Sequence, residues 1–250
     1  MKNSICIPSF FKGRSFGDAV RCIAHYGFHA AELWGWQDLD LSESREILTE
    51  NHVTLAAMCT TEFRMTDAKY RKDWLMGLEK SVKAAEKLSA LMLISQVGPD
   101  TGEAREAQHE NIVRCLTEAG EILEGSGVTL LIEPLNTYVD HPGYYLTSAQ
   151  EGAEIVREAG RKEVRLLFDI YHQQIMEGNL IPNITSCIDV IGHFHAAGHP
   201  GRHELEQGET DYRNVFAAIG RLPYEGYIGL EYFPEKAPEE SLLDFRKHYL

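Results

Sequence analysis

Eight short apolar runs, each followed by a stretch of helical periodicity, predict an α/β protein: a single (β/α)8 TIM barrel domain over residues 1–250. Strands that alternate with helices pair in parallel through helical crossovers. Eight such units in 250 residues match the size of one closed barrel. No linker, low-complexity tract or long block of like charge divides the chain.

The units follow in order. Ser4–Pro8 precedes a helical stretch at Phe16–His25, and Ala30–Leu33 precedes Ser42–Asn51. Val53–Cys59 leads to Lys69–Lys87, and Ala90–Ser95 to Glu103–Glu124. Val128–Ile132 is followed by Ser148–Glu158, and Val164–Phe168 by a short helix at Tyr171–Met176. Val190–Phe194 leads to Tyr212–Ile219, and Tyr227–Leu230 to Glu239–His248. Gly27 and Gly125 stop the first and fourth helices, as glycines past a helix end do. Thr147 and Ser148 before Gln150 and Glu151 form a capping-box pattern for the fifth. Val113, Leu116, Ile122 and Leu123 give the fourth an apolar face. The rival architecture is an open doubly wound sheet, which carries a glycine-rich phosphate turn after its first strand. Pro8-Ser9-Phe10-Phe11 stands there instead, so no nucleotide cofactor is expected.

Composition narrows the function. Lys+Arg number 24 against 38 Asp+Glu, a net charge of −14. Nucleic acid and anionic membrane both require a basic footprint, so neither is an expected partner. The five cysteines include no C-x-x-C pair, which fits a reducing compartment without structural disulfides. Met1-Lys2-Asn3-Ser4 lacks the apolar segment of a signal peptide, and no run approaches the ~20 residues of a membrane span. The cytoplasm is the expected location.

The last four runs each close on a side chain able to bind a metal. Glu133 follows Thr129–Ile132, Asp169 follows Val164–Phe168, His195 follows Val190–Phe194 and Glu231 follows Tyr227–Leu230. On neighbouring parallel strands of one barrel these four residues meet at the C-terminal mouth, where active sites of this fold lie. Three crowded carboxylates repel unless a cation neutralises them. Three oxygens and one nitrogen suit Mn²⁺, Mg²⁺ or Co²⁺. Glu133 and Glu231, on opposite sides of the mouth, suit proton transfer at a carbon held between them.

Other residues near the mouth have two readings each. His172, in Asp-x-x-His with Asp169, either bonds a substrate hydroxyl or orients neighbouring groups at a helix start. His193 shares strand parity with His195 but lies deeper, as a hydrogen-bonded core histidine. Arg202, beyond the Pro200-Gly201 turn, either holds a substrate carboxylate or diol or pairs with Glu204 or Glu206. Trp34, Trp36, Tyr144 and Phe233 wall off water or pack on one another, and Cys59–Phe63 is expected to line the pocket. No lysine closes a strand, which argues against Schiff-base chemistry.

Several segments carry a resemblance. Ile132-Glu133-Pro134-Leu135-Asn136, His141-Pro142-Gly143-Tyr144-Tyr145-Leu146, Phe168-Asp169-Ile170-Tyr171-His172 and Gln174-Ile175-Met176-Glu177-Gly178 resemble the hydroxypyruvate isomerase family. So do Gly192-His193-Phe194-His195-Ala196-Ala197-Gly198, Pro200-Gly201-Arg202-His203-Glu204 and Gly229-Leu230-Glu231-Tyr232. That family belongs to the xylose-isomerase-like barrels, beside ketose 3-epimerases and 2-oxo-tetronate isomerases. The likeness is strong from Leu130 to Pro234 and weak before it. It implies a divalent metal on Glu133, Asp169, His195 and Glu231, with Glu133 and Glu231 as acid and base. It also implies substrate contacts from His172 and Arg202. Some hydroxypyruvate isomerases carry glutamine where this chain has His195, and histidine there is closer to the 3-epimerase pattern.

The expected function is therefore a metal-assisted aldose–ketose type isomerase working through an enediolate. Its substrate would be a small hydroxy-oxo acid, as in hydroxypyruvate ⇌ tartronate semialdehyde. Ketose 3-epimerase and 2-oxo-tetronate isomerase are the alternatives, and a keto-polyol dehydratase ranks below them. An abasic-site endonuclease would need a metal cluster and a basic face, which a charge of −14 opposes. A non-catalytic metal-binding barrel is the remaining class. The expected partner is a small carbohydrate acid or a ketose, and homo-oligomer formation is left open.

Overall fold

The computed structural model describes residues 2–61 and 64–250. Eight strands run β1 (Lys2–Cys6), β2 (Ala30–Leu33), β3 (Thr54–Cys59), β4 (Met92–Ser95), β5 (Thr129–Ile132), β6 (Val164–Asp169), β7 (Ile191–Ala196) and β8 (Tyr227–Leu230). Each pairs in parallel with the next, and β8 returns to β1, closing the barrel. The (β/α)8 expectation is met. Among the described residues, ten α-helices connect and flank the strands: α1 (Ile7–Phe10), α2 (Phe16–His25), α3 (Leu41–Glu50), α4 (Arg71–Leu88), α5 (Arg105–Leu123), α6 (Ala149–Ala159), α7 (Ile170–Met176), α8 (Leu180–Cys187), α9 (Tyr212–Ile219) and α10 (Pro238–Tyr249).

Local chemistry sets the boundaries. Ser148 caps α6, its hydroxyl accepting from Glu151 N at 3.3 Å. Glu151 does not complete the box, because its carboxylate turns to Arg105 and Tyr145. Gly27, at φ +77°, ends the turn after α2, where its left-handed backbone needs no Cβ. Two expectations shift. The first strand lies two residues earlier than Ser4–Pro8, because Ile7–Phe10 forms a helical turn with Pro8 in its first two positions. Helix α8 was not expected. Pro182 reads as a breaker, yet it sits in the first turn, where its missing N–H has no intrahelical partner to lose.

The core has two parts. One lies between the barrel and its helices, with Trp74, Phe168, Phe194 and Leu242 among its buried members. The other fills the barrel: Ala30, Ala56, Ala57, Met92, Ile94, Leu131 and Leu167. Leu131 and Leu167 share strand parity with Glu133 and Asp169, two residues further on. The alternation that buries the leucines therefore turns the two acids inward at the mouth. Among the described residues no helix is long and apolar enough to cross a membrane.

Candidate active site

Register brings the four strand-end residues together. Asp169 on β6 stands opposite His195 on β7, and His195 stands opposite Gly229, two residues before Glu231. Glu133, Asp169, His195 and Glu231 offer ligand-type atoms that all lie within 4.8 Å of one another. All four are buried. His195 Nδ1 is 3.6 Å from Glu133 Oε1 and 3.4 Å from Glu231 Oε2. Asp169 also caps α7: its Oδ1 accepts from Tyr171 N at 2.8 Å and from His172 N at 3.3 Å. Its Oδ2 is left to face the mouth.

Burial and crowding set the electrostatics of this cluster. Burial pushes Asp169 up to about 7, with Glu133 and Glu231 adding to the rise against the pull of Arg202 and His195. Burial also opposes charge on Glu231, but Arg202, His195 and the Trp34 indole N–H outweigh it and hold that carboxyl well below its ordinary range. Burial lowers His195, but Glu231 and Glu32 outweigh it and raise the imidazole well above its usual value. Two polar atoms are stranded: Glu133 Oε1 and His195 Nδ1 are buried without a hydrogen-bond partner among the described residues. Buried polar atoms in native proteins are rarely left so. A divalent ion ligated by both would satisfy them, and the oxygen-rich donor set fits such an ion.

Arg202 reaches the cluster from the loop after β7. Its Nη2 pairs with Glu231 Oε2, its Nε donates to Glu231 O at 3.3 Å, and its guanidinium lies 5.0 Å over the Tyr171 ring. Its backbone is left-handed at φ +58°, and Phe233 N donates to its carbonyl at 2.9 Å. Of its two readings, the local pairing with Glu204 or Glu206 does not form. Glu204 instead accepts from the backbone N–H groups of Glu235 and Lys236, and Glu206 faces His248. Local charge spacing pointed along the loop, whereas the loop folds back over β8.

His172 sits between the two readings. Its Nδ1 accepts from Asn136 N at 3.2 Å, and its Nε2 is 3.5 Å from Asp169 Oδ2. Burial, with Arg202 nearby, lowers it well below its ordinary value, so it is a neutral imidazole facing the cavity. That cavity measures about 310 Å³ and lies over Glu133, His195 and Glu231. Trp34 and Cys59 line it, and the Trp34 indole donates to Glu231 Oε1. Of the expected segment Cys59–Phe63, Glu62 and Phe63 lie outside the described residues. Tyr144 lies beneath the loops, donating to Glu133 O at 3.0 Å and accepting from Val97 N at 2.8 Å.

Sequence reasoning missed Glu32. It is buried on β2, with Oε1 2.9 Å from His193 Nε2 and Oε2 2.8 Å from His195 Nε2. Burial pushes its carboxyl up, but the two imidazoles outweigh this and hold it below the carboxylate range. A signal existed: a lone acid inside Ala30-Ala31-Glu32-Leu33. His193 is the core histidine expected, fully buried, with Nδ1 lacking a partner among the described residues.

A closed parallel barrel with buried acids and an imidazole gathered at its C-terminal mouth has the layout of a TIM-barrel enzyme. Comparison with known proteins agrees. A family model described as xylose isomerase-like TIM barrel matches residues 20–248, and the chain belongs to that family. The hydroxypyruvate isomerase of Escherichia coli (strain K12) is 29% identical over 236 residues, covering 91% of this chain and 90% of that protein. A 2-oxo-tetronate isomerase of Cupriavidus necator is 41% identical over 135 residues, 54% of this chain and 51% of its own. Among solved structures, AP endonuclease, family 2, from Brucella melitensis superposes with a TM-score of 0.94 at 25% identity, covering 99% of each chain. The resemblance to hydroxypyruvate isomerases and the expected class, an isomerase, are borne out by these relatives.

Proposed function

We propose that this barrel, acting as one domain, isomerises a small hydroxy-oxo acid by moving a proton between adjacent carbons. The observation that carries the reading is the convergence of Glu133 and Glu231 on one imidazole nitrogen, within 3.6 Å, under a cavity of about 310 Å³. Glu133, Asp169, His195 and Glu231 are the proposed ligands of a divalent ion, Mn²⁺, Mg²⁺ or Co²⁺. Such an ion supplies a Lewis acid that polarises a carbonyl and acidifies the neighbouring C–H. One glutamate of the pair removes that proton, and an enediolate forms. Proton return at the neighbouring carbon, with the hydroxyl proton passing to the former carbonyl oxygen, completes the exchange of carbonyl and hydroxyl. Glu231 already accepts from Trp34 and Arg202, which keeps it ionised, while Glu133 presents its carboxylate from the other side of the mouth. Arg202 places a planar cation beside the pair, suited to the acid group of the substrate. His172, neutral and facing the cavity, suits a substrate hydroxyl.

Hydroxypyruvate is the first substrate to test, supported by the E. coli relative. The cavity does not restrict the substrate to three carbons. The Cupriavidus relative supports a 2-oxo-tetronate as the second. Ketose 3-epimerisation is the alternative outcome, since it needs only that the proton return to the opposite face of one carbon. The name of the Brucella protein raises abasic-site cleavage, which a charge of −14 opposes. Five free cysteines fit the proposed cytoplasmic setting. The test is turnover of hydroxypyruvate, a 2-oxo-tetronate and free ketoses by the purified protein. It is run with added Mn²⁺, after exhaustive chelation, and after Mn²⁺ is restored. Conversion of an oxo acid that vanishes on chelation and returns with Mn²⁺ supports the reading. Full activity after chelation, or exclusive epimerisation of ketoses, overturns it.

A further inference from the structure

Among the described residues, the ligand-type side chains inside the barrel form two clusters that share one residue. The first is the mouth group. The second is Glu32, His193 and His195, whose ligand-type atoms also lie within 4.8 Å of one another. His195 belongs to both, with Nε2 toward Glu32 and Nδ1 toward Glu133 and Glu231.

Three hydrogen-bonding groups meet the Glu32 carboxylate. His193 Nε2 lies 2.9 Å from Oε1, His195 Nε2 lies 2.8 Å from Oε2, and the Ser4 hydroxyl donates to Oε1. A carboxylate only accepts, so each imidazole presents Nε2–H to it. An imidazole with its proton on Nε2 carries its lone pair on Nδ1. In His195 Nδ1 faces the mouth, where it has no hydrogen-bond partner among the described residues, so its lone pair is presented there once an ion takes the place of the ring's second proton. The neighbouring strand leaves room for the contact. Gly229 on β8 stands opposite both Ser4 and His195, and a Cβ there would overlap Glu32 Oε1 and lie 2.7 Å from His195 Cδ2. A side chain at 229 would push the carboxylate and the imidazole apart.

We propose that Glu32 is a positioning residue: it fixes the proton of His195 on Nε2 and turns Nδ1 toward the mouth as an ion ligand, with Ser4, His193 and Gly229 holding it in place. This inference rests on the ion site proposed above and concerns binding of the ion, not turnover. Glu32→Gln keeps the shape but offers one acceptor and one donor, so it can accept from only one of the two imidazoles. Mn²⁺ affinity of the substrate-free protein, measured by calorimetry, is expected to fall 10–100-fold while circular dichroism stays unchanged. Gly229→Ala removes no polar group but displaces the Glu32 carboxylate from His195, and is expected to weaken Mn²⁺ in the same direction. In ¹⁵N spectra of the wild-type protein loaded with diamagnetic Mg²⁺, His195 should carry its proton on Nε2 and none on Nδ1.

A folded Glu32→Gln variant with Mn²⁺ affinity within twofold of wild type overturns the proposal. So does a proton on His195 Nδ1 in the Mg²⁺-loaded protein. If Glu32→Gln does not fold, the wild-type spectrum decides alone. Wild-type protein that binds no Mn²⁺ sinks both this and the ion site. Wild-type protein that binds Mn²⁺ but turns over no oxo acid overturns only the proposed reaction.

Discussion

The two halves of the barrel contribute to the mouth in different ways. Strands β5 to β8 bring Glu133, Asp169, His195 and Glu231, each within one residue of a strand end. Strands β1 to β3 bring groups that hold those residues from behind or from the side. Ser4 and Glu32 support His195, the Trp34 indole donates to Glu231, and Cys59 packs into the cavity wall. The reactive half is made of groups whose charges conflict; the supporting half is made of groups that resolve orientation. Parallel strands allow this division, because every strand delivers its C-terminal residue to the same rim while its interior residues stack in layers below.

If the halves differ in this way, substitutions in the reactive half should cost chemistry and those in the supporting half should cost geometry. The largest effect is expected for Glu133→Gln and Glu231→Gln. Each keeps the side-chain shape and removes the proton acceptor, so kcat on the oxo acid should fall by about 10³-fold, or ~4 kcal/mol. Stopped assays with each variant at saturating Mn²⁺ check this. A variant that keeps a tenth of wild-type kcat takes that glutamate out of the proton transfer.

The second expectation concerns the proton that competes with the ion. Burial raises Asp169 to about 7, far above the value near 4 of an unfolded aspartate. A raised carboxyl binds its proton more tightly in the folded chain than in the unfolded one. This contribution to stability of the ion-free protein is complete below about pH 4 and is lost as pH climbs through about 7. Ion binding must displace that proton, as well as any on His195 Nδ1, so the dissociation constant for Mn²⁺ should rise as pH falls below 7, by about tenfold per unit or more. Thermal melts of ion-free protein from pH 5 to 8, beside Mn²⁺ titrations at the same pH values, separate the two effects. A flat Mn²⁺ affinity across that range would mean that Asp169 is not the group displaced.

What could be read from the sequence follows the same division. A polar residue that closes an apolar run announces itself, so Glu133, Asp169, His195 and Glu231 were legible, and strand parity set His193 below His195. Glu32 was hidden because it lies within an apolar run and its partners stand 161 and 163 residues away on β7. Spacing cannot reveal a contact that exists only once the barrel closes. Arg202 had two readings that spacing left open: near acids at 204 and 206 offered a local pair, but the actual partner is 29 residues on, across the loop. Short segments obeyed another logic. Ile7–Phe10 and Leu180–Cys187 contain prolines that read as breaks, yet a first-turn proline starts a helix as readily as it ends one.

The smallest effect tests the supporting half at its outermost point. Trp34 is 44% exposed, and its ring meets Phe233 edge-on at 6.2 Å. Its indole N–H donates to Glu231 Oε1, while Arg202 takes Oε2. Trp34→Phe keeps most of the apolar wall and deletes that donor. A hydrogen bond to a charged acceptor is worth more than a neutral one, but water can reach this half-exposed edge and replace it. The expected loss in kcat/KM is therefore about fivefold, ~1 kcal/mol, with Mn²⁺ affinity unchanged because Arg202 still holds Glu231 and the other three proposed ligands keep their places. Loss of ion affinity as large as that expected for Glu32→Gln would make Trp34 part of the ion site's support. Unaltered kcat/KM would leave it only a wall against water.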